Sequence, residues 1–459
     1  MKKFLTATCV SALCLASAAV AADLTQETQA LKAKALADST AWDVLESLTT
    51  EVGPRSVGTP AIVRAKDWGL AKLTALGFEN VHAEPFLAQA WVRGAESAEV
   101  ISPFPQKLAI LGLGGSAPTS PGGLEAEIVL FKSLQELQAQ PPGALKGKIA
   151  VVTQAMRRTQ GPDGYGAGVV PRSIGAEEAA KRGAVAFLVR SISTDDTRLP
   201  HTGAMRAAPG IPAAALSVPD AQLLEHMAAK GQPVRLRLTM TSTVIPQAQS
   251  WNVVGEIKGA VHPDQVIVVG GHLDSWDPGT GAIDDASGIA IATAAAHLAG
   301  TTGGRPARTL RVVMWGSEEQ GGSGGAYALA HRDEASKIIL AGESDLGGDE
   351  IWRARLPKGA WALPAMQAFA TILPDLRVVL SREPAYEGGS DIEGLKAAGV
   401  PVVDFDQDAS RYFDLHHSAD DTLDKVDPKK LAQNVAVWAA FLRVTANSDV
   451  DFRTSTVAP

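Results

Sequence analysis

The sequence predicts an α/β protein whose central sheet is mixed and largely parallel, with helices on both faces and a smaller β-rich domain inserted. Three observations point there. From Trp251 onward, short apolar runs alternate with helical patterns, the mark of strand–helix–strand units. Runs such as Gln265 to Val269 and Thr309 to Trp315 are nearly continuous in apolar residues, as strands covered on both faces must be. Between 101 and 245 the chain turns to short β-like segments punctuated by Gly and Pro, which suits a separate module.

The first 22 residues, MKKFLTATCVSALCLASAAVAA, join Lys2 and Lys3 to an apolar run from Phe4 to Leu15 and small residues at Ala19 to Ala22. That is the three-part pattern of a secretory signal peptide. The run is short of the roughly 20 apolar residues a membrane span needs. Bulky Leu13 before Cys14 also argues against a lipid anchor. Cys9 and Cys14, the two cysteines of the 459-residue chain, both lie here. The mature protein is therefore expected to be periplasmic or extracellular and off the membrane. It would hold no disulfide, thiolate metal site or cysteine nucleophile. A formal net charge of −8 argues against a nucleic-acid partner, which demands a positive field.

Residues 23–100 and 246–459 are expected to form one discontinuous domain around the 101–245 insert. Leu31, Ala35 and Leu36, then Trp42, Leu45 and Leu48, recur at helical spacing until Gly53 and Pro54. Ile62 to Leu76 reads as a second helix stopped by Gly77, and Val81 to Phe86 as a strand. In the insert, Glu127 to Phe131, Lys148 to Thr153, Val185 to Val189 and Val234 to Met240 read as strands, and Ala176 to Arg182 as a helix. With few grouped catalytic residue types, the insert suits a lid or a substrate-shaping role. Downstream come a helix from Ser287 to Ala299, another through Tyr327 and Ala330, and strands at Lys337 to Ala341 and Pro401 to Phe405.

Polar clusters follow the buried strands: Gly270 to Asp274, Gly281 to Gly288, Gly316 to Gly322 and Glu343 to Asp345, with His416 to Thr422 near the end. Sites in open α/β sheets form at the carboxyl ends of strands. Histidines and carboxylates without cysteine suit zinc held by nitrogen and oxygen. In an extended segment His272 and Asp274 face the same side, so the Asp274 carboxylate is expected to accept the second imidazole N–H. Of the adjacent Glu318 and Glu319, one can bind metal while the other faces a water. Asp284, Glu318, Glu319 and Asp345 would overcharge a single zinc, which argues for two zinc ions per chain. His262, His297 and His331 read as core histidines. The Gly321 to Gly325 run lacks the Lys-Ser/Thr of a phosphate loop.

The peptides GGHLDSWDPGTGAIDDASG, WGSEEQGGSG, ESD and YFDLHHSADDTLDKVDP, in that order, resemble the co-catalytic di-zinc exopeptidase family, over roughly residues 45–445. The resemblance implies His272 and Asp345 on one zinc, Glu319 and His417 on the other, and Asp284 on both. It implies Glu318 as general base with Asp274 in the catalytic group, a cis peptide between Asp284 and Asp285, and a homodimer. His417 is chosen over His416 because it stands four residues before the Asp421-Thr422 pair. In glutamate carboxypeptidases of the same clan a tyrosine precedes the ligand and polarises the substrate carbonyl. Two roles therefore stand for His416, an oxyanion donor or a structural neighbour. Asp391, Tyr412 and Arg411 fall in stretches that line the family's substrate pocket.

The activity implied is exopeptidase hydrolysis of short peptides, dipeptides with free termini foremost, by a water activated between two zinc ions. The alternatives are an aminopeptidase on longer peptides, a one-zinc glutaminyl cyclotransferase, and a receptor or scaffold that kept the fold without its chemistry. Intact His272 and Asp345 argue against the second, and a complete ligand set with its base argues against the third.

Overall fold

The computed structural model describes residues 24–453, so the expected signal peptide at 1–22 lies outside the described residues. Five strands form the sheet that carries the site, in the spatial order Glu79–Val92, Thr243–Ile257, Arg308–Trp315, His262–His272 and Ile338–Glu343. The last three run parallel, and the two long strands beyond them pair antiparallel. Parallel neighbours need crossovers, which the helices Ser287–Thr301 and Ser323–Ala330 supply.

Alternation along the strands sorts the core into two layers. Ile267, Val269, Leu310, Val312 and Met314 pack with Leu31, Leu45, Ile62, Ile291 and Phe441 of five helices. Val266, Val268, Val313 and Trp315 pack with Tyr327 and Leu395 on the opposite face. Helix Ser287–Thr301 is buried almost all round, which explains its Ala- and Ile-rich sequence. Helix Pro60–Ala75 starts with Pro in its first turn and Thr59 accepting from the Ala61 N–H.

The expected strand at Pro401 to Phe405 is displaced. The strand is Asp404–Gln407, and it pairs antiparallel with Ile351–Arg355 in a separate three-stranded sheet. A single bridge, Ala341 to Val402, touches the central sheet. An apolar run reports burial without reporting which sheet it joins.

The insert is an eight-stranded sheet in which four consecutive strands, Leu124–Phe131, Ile149–Val152, Ala186–Arg190 and Ala213–Leu216, are parallel. One face (Ile128, Val151, Leu188, Leu236) closes a core of its own. The other (Val152, Phe187, Val189) is continuous with the main core. Strand Glu96–Ser102 already belongs to the insert and Thr243–Ile257 to the main sheet. The chain thus changes sheet at 93–95 and 241–242, close to the expected limits of 101 and 245. Among the described residues, no helix is long and apolar enough to cross a membrane.

Candidate metal centre

The three parallel strands end together. His272 is the last residue of its strand, Glu318 and Glu319 follow Arg308–Trp315, and Asp345 follows Ile338–Glu343. Asp284 enters from the loop before helix Ser287–Thr301, and His417 from the turn after Tyr412–Asp414. His272 Nε2 stands 3.0 Å from Asp284 Oδ1 and 3.4 Å from Asp345 Oδ1. His417 Nε2 stands 3.0 Å from both Asp284 Oδ2 and Glu319 Oε2. Among the described residues, two groups place donor atoms within 4.8 Å of one another: His272, Asp284 and Asp345, and Asp284, Glu319 and His417. Asp284 is common to both.

The loop carrying Asp284 is tied from three sides. Asp421 accepts from the N–H groups of Ile283 at 2.6 Å and Asp284 at 3.3 Å. Fully buried Arg55 donates to the carbonyls of Leu273, Thr280 and Gly281. Asp285 accepts from His272 N–H at 3.1 Å and Gly288 N–H at 2.9 Å, joining strand end to helix start. The Asp284–Asp285 peptide is cis, as the resemblance implies. His417 holds φ at 60°, a left-handed conformation that typically costs a non-glycine residue about 1–3 kcal/mol and concentrates at functional sites.

One support differs from expectation. His272 Nδ1–H donates to the Asp274 backbone carbonyl at 2.9 Å, while the Asp274 carboxylate lies 3.7 Å away. That carboxylate accepts instead from Glu318 N–H at 2.9 Å. The carbonyl of the same residue meets the imidazole first, so the carboxylate is free to hold the Glu318 backbone.

The electrostatics describe acids short of cations. Burial raises Glu318 and Asp345, and pushes Glu319 up to about 8 against the pull of His417. Burial alone would raise Asp284 too, but its bonds to His272 and His417 hold it well below the usual range. Buried Glu319 Oε1 has no hydrogen-bond partner. Carboxylate and imidazole donors converging with an unsatisfied buried oxygen fit a divalent metal.

These groups open into a cavity of about 610 Å³. His416 lines it, buried, with neither ring nitrogen hydrogen-bonded. Burial, then the neighbouring His417, holds its imidazole well below the ordinary range. Tyr412 also lines the cavity, tilted against His416 at 4.9 Å between ring centres. Asp391 lies beneath the cavity wall instead: its carboxylate accepts from Ser323 Oγ at 2.6 Å, and Ser390 takes the lining position. Arg411 is turned outward to Asp349. Of the histidines read as core, His262 is exposed at its strand's start.

Sequence reasoning missed several wall residues. The insert supplies Tyr165 and Arg172, although its sequence holds few grouped catalytic residue types. Its Thr202 carbonyl accepts from His417 Nδ1–H at 3.2 Å, and His201 Nδ1–H donates to the His416 carbonyl at 2.8 Å. Glu343, two residues before Asp345, also faces the cavity. Local patterns mark none of these except Glu343, whose position at a strand end was a usable signal.

Residues 252–442 match the model of Peptidase family M28. Carboxypeptidase Q of Bos taurus is 38% identical over 415 residues, 90% of this chain and 86% of that protein. Carboxypeptidase Q of Homo sapiens is 37% identical, with 90% and 86% covered. A peptidase M28 precursor from Shewanella amazonensis SB2B superposes with a TM-score of 0.90 at 43% identity, over 94% of this chain and 98% of that one. A zinc aminopeptidase from Bacillus subtilis shares the fold, with a TM-score of 0.65 at 18% identity over 90% and 95% of the two chains.

Proposed function

This chain belongs to peptidase family M28 and is a metallopeptidase, and from that premise we propose that it hydrolyses short peptides, dipeptides with free termini foremost. The observation that carries the reading is the pair of donor groups sharing Asp284 at the floor of the cavity. His272 and Asp345 would hold one zinc, Glu319 and His417 a second, and Asp284 both. Bound there, zinc supplies Lewis acidity and lowers the pKa of water.

The remaining work falls to the chain's own groups. Glu318 takes a proton from the attacking water and delivers it to the leaving amine. Asp274 positions it by holding its backbone N–H. His416, with an uncommitted N–H, donates to the carbonyl oxygen as charge develops there. Tyr412 packs the His416 ring in place and forms part of the wall.

An aminopeptidase acting on longer peptides is the second reading, favoured by Glu343 and Glu387 on the cavity wall, whose carboxylates suit a substrate ammonium. Export rests on the pattern at residues 1–22, and a homodimer on the resemblance; sedimentation of the mature protein checks the latter.

The test compares Glu318→Gln and Glu319→Gln on the zinc-loaded protein with a dipeptide, tripeptide and amino-acid-amide panel. Glu318→Gln should keep its metal and lose on the order of 10²–10⁴ in rate. Glu319→Gln should lose metal. Exchanged phenotypes would reverse base and ligand, and a wild-type preference for tripeptides over dipeptides would favour the second reading.

A further inference from the structure

Arg172 is a buried cation without a counter-ion. It sits at the start of helix Val170–Lys181 in the insert, 6% exposed, and faces the cavity. Among the described residues it forms no ion pair with any carboxylate. Nη2 donates to the Tyr165 hydroxyl at 2.5 Å and Nη1 to the Thr202 carbonyl at 3.2 Å. Nη1 also lies 3.4 Å from His417 Nδ1. The Thr202 carbonyl can only accept, so the Nδ1 that faces it carries a hydrogen and offers Arg172 no acceptor. Buried Nε has no partner at all.

A guanidinium taken out of water is costly unless an anion pairs with it. The other cations on the wall differ. Arg355 already pairs with Asp406 at 2.6 Å, and Lys396 is exposed and donates to the Tyr386 carbonyl. The chain around Arg172 is shaped to it: a Cβ at Gly203 would stand 2.4 Å from its Cζ. The unsatisfied cation is one imidazole away from the donor atoms of Asp284 and Glu319. In a dipeptide, only the amide nitrogen and one α-carbon separate the scissile carbonyl from the terminal carboxylate.

We propose that Arg172, supplied by the insert, holds the free C-terminal carboxylate of a dipeptide whose scissile carbonyl lies at the Asp284 centre. Arg172 is thereby a specificity-determining residue, and its planar fork suits a carboxylate. The proposal rests on the peptidase reading above. Peptides whose carboxylate is blocked, or lies one residue further away, lose the contact.

The test uses the zinc-loaded mature protein with Ala-Met and its C-terminal amide. The wild type should prefer the free acid. Arg172→Gln should lose on the order of 10²-fold in kcat/KM on Ala-Met, while the amide changes by less than about threefold. Arg172→Lys, which keeps the charge and the burial, should retain part of the preference. Calorimetry on metal-free protein gives a reading independent of turnover: wild type should bind Ala-Met at least about tenfold tighter than the amide, and Arg172→Gln should not. Equal losses on both substrates in either variant, at unchanged metal content, would overturn the anchor. If Arg172→Gln does not fold, the Arg172→Lys ratio and the wild-type calorimetry decide. A wild type that cleaves both peptides without preference overturns the anchor alone, whereas one inert to both overturns the peptidase reading with it.

Discussion

Among the described residues, histidines and carboxylates gather around Asp284 and around His331, and these two gatherings differ in how their charges close. Around His331, Glu84 Oε1 accepts from His331 Nε2 at 2.8 Å and from His82 Nε2 at 3.1 Å. Glu334 takes His331 Nδ1 and Arg311, and Arg311 also reaches Glu256 at 2.7 Å. Bonds from His331 and Arg311 push Glu334 down to about 2, against the effect of burial. Burial alone would lower His331, but Glu334 and Glu84 push it up to about 9. Every acid there already has its cation. Around Asp284, burial raises Glu318, Glu319 and Asp345, and the charge of Asp284 adds to the rise against the pull of the histidines. Residue type alone does not make a metal centre; converging donors with uncompensated charge do.

That contrast can be broken most severely at the shared ligand. Asp284→Asn should deplete both metals and lower activity on the order of 10⁴-fold or more, read by elemental analysis and turnover. Retention of two metals by that variant would end the bridging assignment. Next comes His416→Ala, which should keep its metal and lose about 10²–10³ in kcat, while His417→Ala loses metal. Metal loss in His416→Ala would transfer the ligand role to that residue. Chelation should follow, lowering the melting temperature by the equivalent of about 4 kcal/mol if metal is present at roughly 1,000 times its dissociation constant, and reversing on zinc addition.

The smallest effect belongs to the paired cluster. His331→Gln should leave metal content and turnover unchanged and cost about 1–3 kcal/mol in stability near neutral pH. The sign follows from the shift. His331 titrates at about 9 when folded against 6.5 unperturbed, so its contribution is full below about pH 6.5 and fades as pH rises through about 9. The melting gap between wild type and His331→Gln should therefore narrow at alkaline pH. A gap constant from pH 6 to 10 would mean that packing, not charge, carries it.

Much of the centre was legible because four of its side chains sit in short local patterns at strand ends. His272, Glu318, Glu319 and Asp345 follow apolar runs directly, and parallel strands bring their carboxyl ends together whatever the loops do. Asp391 misled for the converse reason. Its neighbours in sequence, Gly388 to Ser390, do line the cavity, but a turn of one residue sends its carboxylate down to Ser323.

By itself, the sequence determined the α/β alternation, the strands buried on both faces and the order of the polar clusters. Those follow from periodicity and from local backbone geometry. Tertiary structure alone decided that Asp421 and Arg55 hold the Asp284 loop, and that the Asp274 carbonyl rather than its carboxylate meets His272. It alone decided that Arg172, a hundred residues before His272 in the chain, faces the same cavity. Charge balance in a buried site depends on which groups end up within a few ångströms of each other. Contacts across such sequence separations leave no local period to read.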